Sequence, residues 1–254
     1  MFAHGTTNLH IVYMKDMAKV KVFLSMFGEW LQEEKHKFMD LDLEYTTDGR
    51  DVAVVQLCFK QCVTVFQWAS SDKHCPKLME FLRSSIYFAS IDITNDKIKM
   101  RHTWGIEIPA ECHVDLHGRF RLEPDKTSMA HMAAVLIDGE YTDMNTKFPK
   151  PWHKLWEKTP LDPINIEYAA IDGYVAYELY LRIGICNYGQ RHLVPLVSPT
   201  WGYFDLEDEY CLQWQTLLSL LCSAWGLLIR TSRFAIRKSR IGIFHYAVLY
   251  VMDI

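Results

Sequence analysis

The sequence has no closely spaced cysteine pair, no sustained basic run before residue 230, and no early apolar stretch of the secretory kind. Each absence excludes something. Seven cysteines, an odd number without a C-x-x-C spacing, do not make a disulfide framework, so the expectation is a reduced, intracellular setting, nucleus or cytoplasm. Met1 to Val12 lacks the charged start, apolar core and small-residue cleavage site of a signal peptide. A formal charge of -4 supplies no global field for a polyanion, so nucleic-acid binding would rest on a local groove.

What is present starts with an acidic strand. In Met39-Asp40-Leu41-Asp42-Leu43-Glu44-Tyr45, apolar and acidic residues alternate. Strand side chains alternate faces, so the carboxylates of Asp42 and Glu44 point the same way and repel each other. Two readings follow: a divalent cation sits between them, or they form the wet face of an edge strand.

The surrounding pattern is that of an α/β fold. Asn8 to Tyr13 reads as an edge strand, and Ala18 to Glu34 as a helix with Val22, Phe23, Met26, Phe27, Trp30 and Leu31 on one face. After the Asp48-Gly49 turn, Val52 to Phe59 and Cys62 to Trp68 complete an antiparallel meander with the acidic strand. Pro76 opens a helix to Arg83. Ile86 to Ile91, reached through that helix, returns parallel to the acidic strand. Asp96 to Trp104 is predicted as a helix capped by Thr94 or Asn95, with Asp96 in its first turn. One short strand is expected within 106 to 116, a loop over 119 to 126, a helix from Ser128 to Ile137, and a surface connection over 148 to 163. The longest helix is Ile164 to Leu181, where Tyr168 and Asp172 are four apart and share a face. Ala169, Ala170 and Ala176 allow it to pack closely on a sheet. The predicted fold is a mixed sheet, meander plus parallel strands, flanked by helices, with three separated acids and a tyrosine able to converge at one end.

Other features carry weaker signals. His113-x3-His117, beside Cys112, has a zinc-ligand spacing, but Pro109 and Gly118 suggest loop and no fourth ligand is evident. Tyr45 and Trp104 read as core aromatics. Lys97, Lys99 and Arg101 read as a solvated helix face that could touch phosphates.

Three blocks together resemble the DEDDy 3'-5' exonucleases, of ribonuclease-H-like fold, and within them the Werner-syndrome-type domains found in plants. Asp42-Leu43-Glu44 followed by Val54-Val55-Gln56-Leu57-Cys58 is similar to the first motif and its partner strand. Ile93-Thr94-Asn95-Asp96, with Lys99-Met100 after it, is similar to the second. Tyr168-Ala169-Ala170-Ile171-Asp172-Gly173-Tyr174, continuing to Tyr180, resembles the Tyr-x3-Asp helix, and the similarity spans roughly residues 8 to 183. The resemblance implies that Asp42, Glu44, Asp96 and Asp172 hold two Mg2+ or Mn2+ ions. It implies further that Tyr168 orients the attacking water, and that nucleoside 5'-monophosphates leave from a 3' end of DNA or RNA by a two-metal-ion mechanism. No helicase block or added nucleic-acid-binding domain is visible, which predicts distributive action. Asp40 and Asp92 stand where the family usually has glycine, and Asp40 adds a third negative charge to its strand face. Two alternatives accompany this reading: an inactive nucleic-acid or protein binding module on the same scaffold, and ribonuclease-D-like RNA trimming.

Residues 184 to 254 do not share the resemblance and are expected to be a C-terminal extension to an exonuclease domain at 1 to 183. They hold 6 Lys plus Arg and 5 Asp plus Glu. Cys211 to Ile229 runs 19 residues without a charge and is followed by Arg230, Arg233, Arg237, Lys238 and Arg240. Its Trp214, Leu217, Leu218, Leu221, Trp225 and Leu228 follow helical spacing, which suits docking on a protein partner or membrane surface through residues 211 to 252 better than spanning a bilayer.

Overall fold

A computed structural model describes residues 1–119 and 128–192. The loop expected at 119–126, apart from Arg119, and the features expected across 193–254 lie outside the described residues. The sheet has six strands: β1 (His10–Met14), β2 (Phe38–Tyr45), β3 (Val52–Phe59), β4 (Cys62–Phe66), β5 (Tyr87–Ser90) and β6 (His113–Asp115), in spatial order β1-β4-β3-β2-β5-β6. β2, β3 and β4 form the expected antiparallel meander, while β1 joins β4, β5 joins β2 and β6 joins β5, all in parallel. This is the ribonuclease-H-like mixed sheet.

Position in the sheet follows from composition. β3, Val-Ala-Val-Val-Gln-Leu-Cys-Phe, is β-branched and apolar, is buried at all eight positions, and lies inside the sheet between β4 and β2. The helices are α1 (Met17–Glu33), α2 (Pro76–Leu82), α3 (Ile93–Trp104), α4 (Met129–Leu136), α5 (Met144–Lys147) and α6 (Pro163–His192). α1 starts where the Asp16 carboxylate accepts the Ala18 N–H at 2.7 Å, and α2 starts at Pro76, whose fixed φ suits a first helical turn. α4 is capped by Ser128, which accepts the His131 N–H at 3.2 Å.

Two boundaries differ from the sequence reading. α3 begins at Ile93 rather than Asp96, with Asp92, not Thr94 or Asn95, at its N-cap in a left-handed conformation (φ 56°, ψ 53°). Left-handed backbone is what a glycine would supply without a Cβ clash, and aspartate tolerates it better than most side chains. Helix propensity also favoured the later start, whereas buried Ile93 anchors the earlier one. α6 runs on to His192 instead of stopping near Leu181, so it crosses the boundary expected at 183. The surface connection at 148–163 is tied down by Trp156, which is buried, and by Trp152, which packs against the core, while Gln67 donates to the carbonyls of Trp156 at 3.1 Å and Lys158 at 2.8 Å.

α6 lies along the face of β2 that carries the acids, and runs against it. Tyr177 and Tyr180 stack on Phe38, with ring centroids 4.8 and 4.4 Å away. Four residues earlier in the helix, Gly173 sits on Asp40, and a Cβ there would stand 3.0 Å from Asp40 Oδ2. The fully buried Ala169 and Ala170 keep the rest of the helix equally close to the sheet.

Candidate active site

β2 delivers Asp40, Asp42 and Glu44 to one face, opposite Cys58, Gln56 and Val54 of β3. α6 brings Asp172 and, one turn earlier, Tyr168 over the same strand. α3 starts just past the end of β5, beside β2, and its first turn supplies Asp96. Every residue of the predicted set therefore reaches one place, from three elements far apart in sequence. Asp96 and Asp172 are buried, at 2% and 6% exposure, and Asp40 is at 0%; Asp42 and Glu44 keep partial solvent contact, which marks the open side.

The electrostatics are those of negative charge without compensation. Burial raises the pKa of Asp40, Glu44, Asp96 and Asp172 well above the ordinary carboxylate range, and the neighbouring carboxylates, Asp42 in each case among them, raise them further. Asp42 is pushed up to about 6, again by burial, with the Leu43 N–H and the Gln56 amide pulling back down. Both phenols are driven upward by burial and by the acid nearest to each, Asp96 for Tyr45 and Asp172 for Tyr168, so each is a neutral hydroxyl that can donate.

Several carboxylate oxygens here have no partner although they are buried: both oxygens of Asp40, Oδ2 of Asp96 and Oδ1 of Asp172. Buried polar groups ordinarily find partners, and unpaired carboxylate oxygens are hard donors suited to a divalent cation. On that observation Asp96 and Asp172 fit the ions that the sequence resemblance implies, and Asp42 and Glu44 join them by donor chemistry alone, as carboxylates on the same face of β2. No group of three or more His, Cys, Asp or Glu side chains stands in ready ligating positions among the described residues. That includes Cys112, His113 and His117: the buried His113 turns its Nε2 toward Ser90 Oγ at 3.3 Å, and its pKa is lowered to about 4, first by burial and then by Lys97.

Tyr168 is held from behind by an aromatic cluster. Its ring stacks on Phe148 at 4.0 Å and 16°, with His153 edge-on at 5.4 Å and Trp156 at 6.2 Å. The ring is fixed while the hydroxyl lies near Asp172, a turn away.

Tyr45 and Trp104 both pack against the core, as expected, Trp104 edge-on against Trp68 at 5.3 Å. Tyr45 does more than pack, since its hydroxyl donates to Asp96 Oδ1 at 2.7 Å. The basic face of α3 is not merely solvated: Lys99 Nζ donates to the Gly49 carbonyl and lies 5.5 Å from the Tyr45 ring centre, while Arg101 pairs with Glu107 at 2.5 Å. Gln56 was missed as a site residue, although a lone polar side chain inside an apolar strand, opposite Asp42 by counting back through the turn, was a legible signal.

No family model matches the chain, and no curated protein matches it in sequence. Solved structures do. The chain is similar to the catalytic core of RRP6 from Trypanosoma brucei, with a TM-score of 0.56 and 13% identity over 72% of this chain and 50% of that one. It is similar to the Nibbler EXO domain of Aedes aegypti, at 0.55 and 17% over 72% and 92%. It is also similar to the RNase D of Trypanosoma brucei, at 0.52 and 17% over 70% and 65%. The chain thus spans half of the RRP6 core. At these identities the likeness establishes a shared fold.

Proposed function

We propose that this chain is a metal-dependent 3'-5' exonuclease of the DEDDy type, similar to the Werner-syndrome-type domains, with residues 1–183 carrying the activity. The observation that carries the reading is the meeting of Asp42, Glu44, Asp96, Asp172 and Tyr168 at one partly open end of the sheet, with buried carboxylate oxygens left without partners. The shared fold with the RRP6 core, the Nibbler EXO domain and RNase D supports it.

In this reading the four carboxylates would hold two Mg2+ or Mn2+ ions, which when bound supply a more acidic water and stabilise the departing 3'-oxygen. The chain's own residues do the rest. The rigidly stacked Tyr168 donates its hydroxyl toward the attacking water, and its raised pKa keeps the proton in place at neutral pH. Partly exposed Asp42 and Glu44 face the substrate side, while buried Asp96 and Asp172 form the floor. Gln56, beneath Asp42, offers an amide to whichever oxygens of the strand carboxylates remain free. RNA is favoured among substrates by one observation, the likeness to an RNase D solved with GMP (TM-score 0.54, 16% identity).

The test is a time course on 5'-labelled, 3'-tailed DNA and RNA oligonucleotides with Mg2+, Mn2+ or EDTA. A metal-dependent ladder shortening from the 3' end, lost in Asp42→Ala and reduced in Tyr168→Phe, is the expected result. Folded protein that makes no ladder with either metal, yet binds both oligonucleotides equally well as Asp42→Ala, would replace the nuclease reading with that of a binding module.

A further inference from the structure

The β2–β3 ladder pairs Asp40 to Glu44 in regular antiparallel register, then slips by one residue between Glu44 and Tyr45. The extra residue is Ala53 of β3, while β2 itself carries no insertion. By alternation Tyr45 belongs with Leu41 and Leu43 rather than with the acids, yet its hydroxyl reaches Asp96 Oδ1 at 2.7 Å. That bond engages one oxygen of Asp96 and leaves Oδ2 buried and unpartnered.

Tyr45 is also one of a row of contacts that fasten α3 to the β2–β3 hairpin. Lys99 donates to the Gly49 carbonyl, Thr103 Oγ1 accepts the Val52 N–H at 2.9 Å, and His102 Nδ1 lies 2.9 Å from Asp51 Oδ1. Only Tyr45 in this row reaches a site carboxylate. Asp96 comes from a different element than Asp42 and Glu44, so something must hold α3 in register with β2.

We propose that Tyr45 is a positioning residue for the divalent-cation site: its hydroxyl fixes the rotamer of Asp96 so that Oδ2 faces the carboxylates of β2. The inference rests on the metal-dependent reading above and deepens it. A hydrogen-bond partner behind a metal-ligating carboxylate orients the ligand, and its loss typically weakens affinity 10- to 100-fold.

The test is Mn2+ binding to the full chain, by calorimetric titration, for wild type, Tyr45→Phe, Asp96→Asn and the double variant. Tyr45→Phe keeps the ring and its packing and should raise the Mn2+ Kd by about 10-fold or more. In the Asp96→Asn background the same change should add less than about twofold, because the group being oriented is gone. Thr103→Val, which loosens the same row without touching Asp96, should leave the Kd within about twofold of wild type and controls for a loosened helix. Nucleotide release by Tyr45→Phe should recover when Mn2+ is raised. Wild-type affinity in Tyr45→Phe, equal losses in both backgrounds, or an equal loss in Thr103→Val would each overturn the proposal. Wild-type protein that binds Mn2+ but degrades neither oligonucleotide counts against the nuclease reading alone, and Tyr45 is then judged on affinity. Wild type that binds no Mn2+ overturns both.

Discussion

Replacing Asp42 by asparagine should change how the metal-free protein responds to pH, and the size of the change can be worked out. The Asp42 carboxyl has a folded pKa of about 6 against an ordinary 3.8. Between those values the folded state holds a proton that the unfolded state has released. Its contribution to stability is therefore complete below about pH 4 and drains away as pH rises through 6. A displacement from 3.8 to about 6 corresponds to about 3 kcal/mol at 1.36 kcal/mol per tenfold, and since Asp42 keeps some solvent contact this is an upper bound. His113 works the other way: its folded pKa of about 4 lies below the ordinary 6.5, so its stability is present above 6.5 and lost as pH falls through 4. The two offset each other across one window, but Asp40, Glu44, Asp96 and Asp172 are raised as well and act in the same direction as Asp42, so wild type alone blends several groups. The difference between wild type and Asp42→Asn reports Asp42 together with the relief it gives the carboxyls whose pKa it raises. In EDTA, urea titrations at pH 4, 5, 6 and 7 should show the variant gaining up to about 3 kcal/mol on wild type, or about 6 to 12 °C in Tm. Mg2+ at 100 times its Kd should return about 2.7 kcal/mol to wild type and less to the variant. A wild type that gains on Asp42→Asn as pH rises would refute the idea that these carboxylates are buried without compensation.

Asp92→Gly should stabilise the fold by up to about 1 kcal/mol by relieving the left-handed backbone, seen as a higher urea midpoint at unchanged slope; a lower midpoint would mean that the carboxylate is needed there. Gly173→Ala should gain about 1 kcal/mol of helix propensity only when Asp40 has been shortened to alanine, because the new methyl otherwise meets Asp40 Oδ2; additivity in the double variant would argue against that contact. Gln67→Leu strips the donor from the Trp156 and Lys158 carbonyls and the acceptor from the buried Tyr13 hydroxyl and should cost about 2 to 3 kcal/mol in thermal or urea unfolding, whereas a neutral result would place water there. Tyr168→Phe should lower kcat by up to about 100-fold while the ring stack on Phe148 keeps Tm close to wild type; unchanged kcat would remove the hydroxyl from the chemistry.

Much of this arrangement was readable from local patterns. The meander follows from alternation around Asp48-Gly49, and the parallel return of β5 follows from a helix standing between two strands. The five candidate residues were grouped by strand and helix periods for Asp42, Glu44, Tyr168 and Asp172, by a first-turn position for Asp96, and by the family resemblance for their roles. What escaped depends on contacts between elements. A contact made by the tip of a long side chain leaves no trace in strand alternation, so Tyr45 read only as the continuation of Leu41 and Leu43. The start of α3 was misjudged because Asp92 accepts a backbone conformation that composition assigns to glycine. The burial of Asp40 could not be foreseen from its charge, since only Gly173 on another element allows a carboxylate that close.

The antiparallel run of α6 over β2 has a further consequence, that of a vernier. The strand advances about 3.3 Å per residue and the helix about 1.5 Å, so two scales of different pitch are laid side by side. Phe38 to Asp40 on one scale matches Tyr177 to Gly173 on the other. One residue inserted into α6 between Asp172 and Tyr177 would turn Asp172 by about 100° away from the strand, and one inserted into β2 would send Asp42 to the opposite face. Neither slip can be absorbed by neighbouring side chains. The two intervals that read against each other, Phe38 to Asp42 and Asp172 to Tyr177, can therefore vary in residue type but not in count without parting Asp42 from Asp172.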